Sequence, residues 1–182
     1  MRTAHDPPPK RQLKVDLDEV AFAMESRGFE ITSYLDLETG EVIPVTQDAR
    51  TYAEEILAQV GTDAGSAAVA RAIMEHDMPD WERDLVVEAI AVELGFGERF
   101  ITIPASDSSA GYEDMESFTE TVRAEGLQAR LLDAIQGARP FRRFKDAIAQ
   151  CPEERERWFA FSNERQRQRV IAWLADEGIE PA

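Results

Sequence analysis

Apolar and polar residues alternate over residues 31–37, which is the clearest local pattern in the chain. A period of two is typical of a β-strand with one buried face. A short polar segment ending in Gly40 follows, and a second apolar run covers residues 42–45. Because glycine readily adopts the left-handed conformation that a three-residue turn needs, the pattern predicts a β-hairpin over residues 30–46.

A third short strand is predicted over residues 99–104, where Phe100, Ile101 and Ile103 precede Pro104. The proline ends the strand because it has no backbone N–H to donate. An isolated hairpin is only marginally stable in water. We therefore expect the hairpin and this strand to share one sheet that helices cover.

Much of the remaining chain has apolar residues at spacings of three and four, which predict amphipathic helices. This spacing runs over residues 17–27, 47–94, 112–135, 140–148 and 152–161, and over a last segment that ends at Gly178. Pro140 and Pro152 are predicted to open two of these helices, because proline suits the first helical position. Gly126 is a predicted helix end, and Ser162 or Asn163 is a predicted cap for the last helix.

Six aromatic residues in the C-terminal part of the chain share this helical spacing. They are Phe141, Phe144, Trp158, Phe159, Phe161 and Trp173. Aromatic side chains at such intervals are typical of a core, so we predict that this set is buried, as is Phe22 in the first predicted helix. The alternative is a platform for single-stranded nucleic acid, on which bases stack against rings and phosphates meet nearby arginines.

These elements predict a helix-rich α+β fold with a small antiparallel sheet. At 182 residues the chain has the length of one compact domain, which we place at residues 15–180. Residues 1–14 contain three consecutive prolines and are predicted to form a flexible arm. The single cysteine, Cys151, cannot form an intramolecular disulfide, and because no leader pattern or apolar run long enough to cross a bilayer is recognised, neither export nor membrane insertion is expected. We therefore predict a cytoplasmic protein that does not contact a membrane.

Charge is distributed unevenly along this acidic chain, which has a net charge of −16. Residues 139–169 hold nine basic and five acidic side chains, whereas residues 1–138 hold eleven basic and twenty-eight acidic ones. Such asymmetry indicates a surface that meets another charged body. The net charge opposes nonspecific binding to nucleic acid.

The start of the predicted helix at Pro140 is the candidate anion- or partner-binding site. The candidate residues are Arg139, Arg142, Arg143 and Lys145. Cations in the first turn of a helix are unfavourable beside the positive end of its dipole, so a negative group is expected to compensate. That group is either a carboxylate of this same protein or an external anion from a partner protein or a nucleotide.

The sequence contains no catalytic motif, and we predict neither a metal site nor a cofactor. His5 lies in the predicted arm, and His76 between two acids is expected to be a solvated imidazole paired to acids. Cys151 lacks a nearby histidine signature, and we expect a structural thiol there. The polar segment 106–109 is expected to be a turn, with a mobile lid as the alternative. The acidic segment 113–116 lacks the spacing of a calcium loop and is expected to be a solvated helix face.

Five segments, in order, resemble a bacterial family known only as an uncharacterised protein family of the UPF series. They are the hairpin YLDLETGEVI, the strand RFITIP, the run GARPFRRFKD, the aromatic segment RERWFAF and the closing IAWLADEGIE. The resemblance spans residues 15–179, although residues 49–77 follow it less closely. It implies a bacterial cytosolic domain with no established activity and no catalytic residues to transfer.

The leading hypothesis is a non-enzymatic interaction or regulatory domain, whose Arg-rich C-terminal surface binds an acidic protein partner or a second copy of the chain. A second hypothesis is a nucleic-acid binder, or conversely an acidic mimic of nucleic acid that occupies a basic protein. A third is an enzyme or small-ligand binder without a recognisable motif. A continuous basic patch would favour the first or second, and a deep pocket with convergent polar groups the third.

Overall fold

A computed structural model of the protein describes residues 11–25 and 30–182. It confirms a helix-rich α+β fold with a small antiparallel sheet. The strands are β1 Arg11–Leu13, β2 Ile31–Asp36, β3 Val42–Thr46, β4 Phe100–Thr102 and β5 Ile179–Pro181. The helices are α1 Leu17–Glu25, α2 Gln47–Val60, α3 Ser66–Glu75, α4 Arg83–Gly95, α5 Ser108–Thr121, α6 Glu125–Gln136, α7 Pro140–Ile148 and α8 Pro152–Asp176. A single 3-10 turn, Asp80–Glu82, precedes α4.

The chain divides into two compact units. The first comprises Met1–Ala105 and Leu174–Ala182, and the second comprises Ser106–Trp173. Each unit has a hydrophobic core cluster of its own. A single domain over residues 15–180 therefore stays a prediction, and the two units are described separately below.

The first unit contains the predicted three-stranded sheet, in the order β3-β2-β4 with both pairings antiparallel. The prediction that the hairpin and the third strand share one sheet is confirmed. Gly40 has a φ of +81° in the turn between β2 and β3. A Cβ atom at this position would lie 1.9 Å from the carbonyl oxygen of Lys14, so only glycine fits.

Helices α2 and α4 supply much of the core of this unit. Thr46 caps α2, because its hydroxyl accepts a hydrogen bond from the amide of Ala49 at 3.1 Å. Ala49, Ala53 and Ile56 of α2 are fully buried, as is Val86 of α4. The small side chains on α2 allow the neighbouring backbone to approach closely, which explains why this helix is alanine-rich on its inner side.

Strands β1 and β5 form a parallel pair in which Arg11 aligns with Ile179. The prediction of a flexible arm over residues 1–14 is therefore wrong for Arg11–Leu13, and residues 1–10 lie outside the described residues. The sequence analysis missed both strands. Each has only three residues, too few for an alternation to be visible, and the ladder forms between segments at opposite ends of the chain.

Helices α5, α6 and α7 and most of α8 form the second unit. Its core contains Met115 and Phe118 of α5, Leu131 of α6, and Phe144 and Ile148 of α7. Asp107 caps α5 by accepting a hydrogen bond from the amide of Ser109 at 3.2 Å. The predicted polar turn over residues 106–109 therefore ends at the cap Asp107, because Ser108 is already helical.

Two helix boundaries within this part of the chain were predicted wrongly. Gly126 does not end a helix but lies in the first turn of α6. The two helices predicted after Pro152 are one helix of 25 residues. Ser162 and Asn163 lower helix propensity by less than about 1 kcal/mol each, and no proline or glycine occurs between Pro152 and Asp176 to stop propagation.

Phe22, a predicted core residue, is exposed instead, as is Trp81, an apolar position of the predicted helical pattern. Phe22 of α1 and Trp81 of the 3-10 turn are 72% and 70% exposed. Phe22 is two residues from both Val20 and Met24, the buried positions of α1, and so lies on a different side of that helix, whereas Trp81 lies in a 3-10 turn. Within the described part of the chain, no helix is both long enough and apolar enough to cross a membrane.

Candidate functional site

Helix α7 carries the four predicted anion-binding residues on its exposed side and at its N-terminus. Pro140 occupies the first helical turn, as predicted, while Phe144 and Ile148 bury the opposite side in the core of the second unit. Arg139 precedes the helix in the left-handed conformation, with a φ of 56°. It is the single non-glycine residue with positive φ among the described residues.

Arg143 is paired within the protein. Its Nη2 atom donates to Oδ2 of Asp133 at 2.6 Å, and its Nη1 atom donates to the backbone carbonyl of Asp133 at 3.1 Å. The guanidinium passes directly over Gly137, where a Cβ atom would lie 1.5 Å from Nη1. Arg143 therefore joins the last turn of α6 to α7, and a cation at the C-terminal end of α6 is favourable for that helix.

The other three predicted site residues, Arg139, Arg142 and Lys145, lack the close internal ion pair that Arg143 forms. Arg142 is 76% exposed, and its nearest carboxylate, that of Asp146, lies 4.0 Å away at the limit of an ion pair. Within the described residues, neither Arg139 nor Lys145 forms an ion pair. An exposed pair at such a distance contributes little to stability, so these three cations remain available to solvent or to a partner.

Phe141 lies beside these cations and is 46% exposed, which contradicts its predicted burial. Its ring lies against the backbone of Gly111, because a Cβ atom there would come within 3.1 Å of Phe141 Cε1. Phe141 and Lys145 are four residues apart and so share one side of α7. We call the exposed side formed by Arg139, Phe141, Arg142 and Lys145 the α7 face.

Two further arginines of residues 139–169, here called the basic run, bind a buried carboxylate. Asp114 of α5 is 2% exposed and accepts a hydrogen bond from Nε of Arg165 at 3.0 Å. Its other oxygen accepts one from Nη2 of Arg169, which also donates to the carbonyl of Ala110. The prediction of a solvated acidic helix face is therefore wrong at Asp114, and Arg165 and Arg169 are structural.

The other predicted aromatic core residues divide between two environments. Phe144 is buried, and Trp158 and Phe161 are half-buried against the core of the second unit. The ring centroids of Phe144 and Trp158 are 4.8 Å apart, with the rings edge to face. Phe159 is 51% exposed, and Trp173 is half-buried. Four of the six rings are therefore buried or half-buried, as the helical spacing predicts. The other two, Phe141 and Phe159, are exposed.

The first unit has its own buried charged pair. Asp36 at the end of β2 accepts hydrogen bonds from Arg99, including one of 2.7 Å between Nη2 and Oδ2. Burial raises the pKa of Asp36, but the hydrogen bonds from Arg99 and from the amides of Glu38 and Thr39 outweigh it and hold the pKa below the ordinary 3.8. Glu38 also pairs with Arg99 at 3.2 Å. This group joins β2 to the residue preceding β4.

Cys151 and His76 are the two remaining candidates for chemistry among the described residues. Cys151 packs beside the core of the second unit. His76 pairs with Glu55 at 3.2 Å, which agrees with the predicted pairing to acids, but its side chain is only 19% exposed, so the imidazole is less solvated than predicted. Among the described residues, no group of three or more His, Cys, Asp or Glu side chains is arranged to hold a metal ion.

A family model described as "Uncharacterised protein family (UPF0158)" matches residues 71–182. The chain belongs to this family. It is also similar to a UPF0158 protein of Pseudomonas aeruginosa, with 28% identity over 172 residues that cover 94% of this chain and 88% of the relative. No solved structure matches the chain.

The UPF0158 match confirms the family resemblance that the sequence motifs indicated. It includes α7 and α8, and therefore the whole basic run, whereas the β2–β3 hairpin precedes it. Because the family description names no activity, a role for the α7 face has to come from its geometry.

Proposed function

We propose that this UPF0158 protein is a non-enzymatic interaction domain that uses the α7 face to bind an acidic segment of a partner protein. The supporting observation is the presence of three exposed cations, Arg139, Arg142 and Lys145, beside the exposed ring of Phe141. Arginine and aromatic side chains are the residues that most often dominate the energy of protein interfaces. The free amides at the start of α7 add further positive potential.

The backbone of Arg139 gives independent support. A non-glycine residue in the left-handed region costs on the order of 1–3 kcal/mol, and such strain is often retained where it positions a functional group. Here it places a cation directly before Pro140, at the end of the helix where an anion is favoured. Arg143, in contrast, is bound to Asp133 and does not belong to the proposed surface.

A second copy of the chain is one candidate for the acidic partner, because residues 1–138 carry a net charge of −17. Such self-association would be electrostatically steered and would weaken as salt is added. Sedimentation velocity at low and high salt distinguishes a second copy from a different protein.

The test compares the Arg142→Gln/Lys145→Gln double variant with an Arg71→Gln/Arg123→Gln control. Both remove two exposed cations, but the control positions lie on α3 and between α5 and α6 and do not belong to the α7 face. Tagged proteins are co-purified from the native host, and bound proteins are quantified by mass spectrometry. We expect the first variant to lose its specific partner by about tenfold, with melting unchanged, because exposed charges affect association more than folding.

The control variant should retain the partner. Equal capture by wild type and both variants would overturn the proposal. Equal losses in the two double variants would also overturn it, because they would show a response to net charge and not to the α7 face.

A further inference from the structure

Helix α4 of the first unit has apolar side chains on two of its sides. One side is buried and supplies part of the core of that unit, with Val86, Ala89, Ile90 and Val92. The other side carries Val87, Ala91 and Leu94 at spacings of four and three, and it is exposed. Val87 and Leu94 are 51% and 48% exposed. A helix that is apolar on all sides is normally buried, and an exposed apolar side with a polar border is typical of an interaction surface.

The border of this exposed side is acidic. Asp84 and Glu88 are exposed, and both lie on the same flank, within about 100° of Val87 around the helix axis. Within the described residues, neither carboxylate forms an ion pair. Arg83 is the one basic residue of α4, and it donates to the backbone carbonyl of Ile73. We call the exposed side formed by Asp84, Val87, Glu88, Ala91 and Leu94 the α4 stripe.

The α7 face of the second unit has the complementary composition. It also combines an exposed apolar side chain, that of Phe141, with two charged residues on one flank, but these are the cations Arg142 and Lys145. At a rise of about 1.5 Å per residue, the two cations are about 4.5 Å apart along the axis of α7. Asp84 and Glu88 are about 6 Å apart along the axis of α4 by the same measure. The two surfaces therefore match in charge, apolar content and spacing.

We propose that the acidic partner of the α7 face is a second copy of the chain, which binds through its α4 stripe. This inference rests on the proposed function of the α7 face. Charge complementarity supports it, because cations beside a ring on one copy meet carboxylates beside aliphatic side chains on the other. Pairing of two α4 stripes is less favourable, since Asp84 and Glu88 of both copies would face each other as like charges.

An antiparallel arrangement of the two helices aligns these charges. In α4 and in α7 the charged pair lies in the same rotational direction from the apolar residues, and such flanks meet when two helices run antiparallel. The ring of Phe141 then lies over the middle of the α4 stripe. With a rise of about 1.5 Å per residue, Arg142 comes level with Glu88. Lys145 comes within about 2 Å of the level of Asp84.

The whole-chain charge does not prevent this contact. Two copies with a net charge of −16 each repel one another. At physiological ionic strength, however, charges more than about 8 Å apart are largely screened, so the charges at the contact decide its strength. Burial of the Phe141 ring against the aliphatic side chains of the α4 stripe adds an apolar contribution. Because the contact uses different surfaces on the two copies, it is lost when either surface is changed.

Sedimentation velocity of the full chain at physiological salt tests the proposal. Two charge-reversal variants are compared with wild type over a concentration series: Arg142→Glu/Lys145→Glu for the α7 face and Asp84→Lys/Glu88→Lys for the α4 stripe. Each should weaken self-association by about tenfold or more, because like charges then face each other. An equimolar mixture of the two variants should associate, since the native α7 face of one meets the native α4 stripe of the other.

The α4 variant also separates docking from an effect of net charge. Its two substitutions each add two positive charges, so the net charge of the chain changes from −16 to −12. A response to net charge alone would strengthen self-association, whereas loss of the α4 stripe weakens it. Glu116→Lys/Glu120→Lys is the matched control, because it makes the same charge change at exposed positions four residues apart on α5. It should associate at least as strongly as wild type.

Two further variants serve if Asp84→Lys/Glu88→Lys lowers the melting temperature. Glu88→Arg lies beyond the first turn of α4, so it does not oppose the helix dipole there. It should weaken self-association, and mixing with an Arg142→Glu variant should restore it. Val87→Ser/Leu94→Ser removes the apolar part of the α4 stripe without changing charge and should also weaken self-association.

Three results would overturn the proposal. One is a sedimentation coefficient that stays monomeric up to about 100 μM, where a complex with a Kd of about 1 μM is mostly formed. The second is self-association that none of the α4 variants weakens, and the third is an equimolar mixture that stays monomeric. In each case, loss of a captured partner from the Arg142→Gln/Lys145→Gln variant in the co-purification experiment would still support the proposed function. The acidic segment would then belong to a different protein.

Discussion

Replacement of Asp114 by asparagine tests whether the C-terminal arginines serve the fold. The carboxylate is 2% exposed and binds both Arg165 and Arg169 on α8. Asparagine preserves its shape but removes the charge. Both arginines would then lose their counter-ion, while one hydrogen bond to the remaining carbonyl oxygen survives.

The expected loss follows from the burial of the pair. Removing one partner of a buried ion pair costs about 3–5 kcal/mol. Arg165 and Arg169 are 42% and 29% exposed, so both can regain water when the charge is removed. We therefore expect the lower end, about 3 kcal/mol, which corresponds to a fall of about 6–12 °C in melting temperature for a chain of this length.

Urea unfolding followed by circular dichroism and tryptophan fluorescence measures this loss. Glu116→Gln is the matched control, because it makes the same charge change at an exposed position of the same helix. The control should stay within about 0.5 kcal/mol of wild type. An unfolding midpoint for Asp114→Asn equal to that of the control would refute a structural role for Arg165 and Arg169. Both arginines would then again be candidates for binding a partner.

Three further predictions concern stability. Trp158→Ala should lower the free energy of unfolding by about 3 kcal/mol, whereas Trp81→Ala should change it by less than about 0.5, as chemical denaturation will show. Because the folded-state pKa of Asp36 is depressed, the stability that its carboxylate contributes is present above pH 3.8 and is lost as pH falls through the lower folded value. Asp36→Asn should remove this part of the acid dependence of the melting temperature, which a pH series of melts measures. Gly137→Ala should displace the side chain of Arg143 and cost about 1 kcal/mol in thermal unfolding, but nothing in an Arg143→Gln background.

The tertiary structure divided the basic run in a way that no sequence pattern indicated. Arg143 meets Asp133 across 10 residues, and Arg165 meets Asp114 across 51. Such pairings depend on how helices pack, and a list of charges does not contain that information. An internal carboxylate, one of the two alternatives that the sequence left open, pairs with Arg143, whereas Lys145 of the same helix forms no ion pair within the described residues.

The amino-acid sequence by itself determined the local elements. Alternation and a turn glycine at Gly40 predicted the hairpin, and Pro140 predicted the start of α7, because these signals act through the conformation of a few neighbouring residues. Tertiary packing decided the rest. It paired β1 with β5 from the two ends of the chain, and it buried Glu82 next to an exposed Trp81. Burial and pairing are set by what lies across from a residue, and that neighbour is usually distant in sequence.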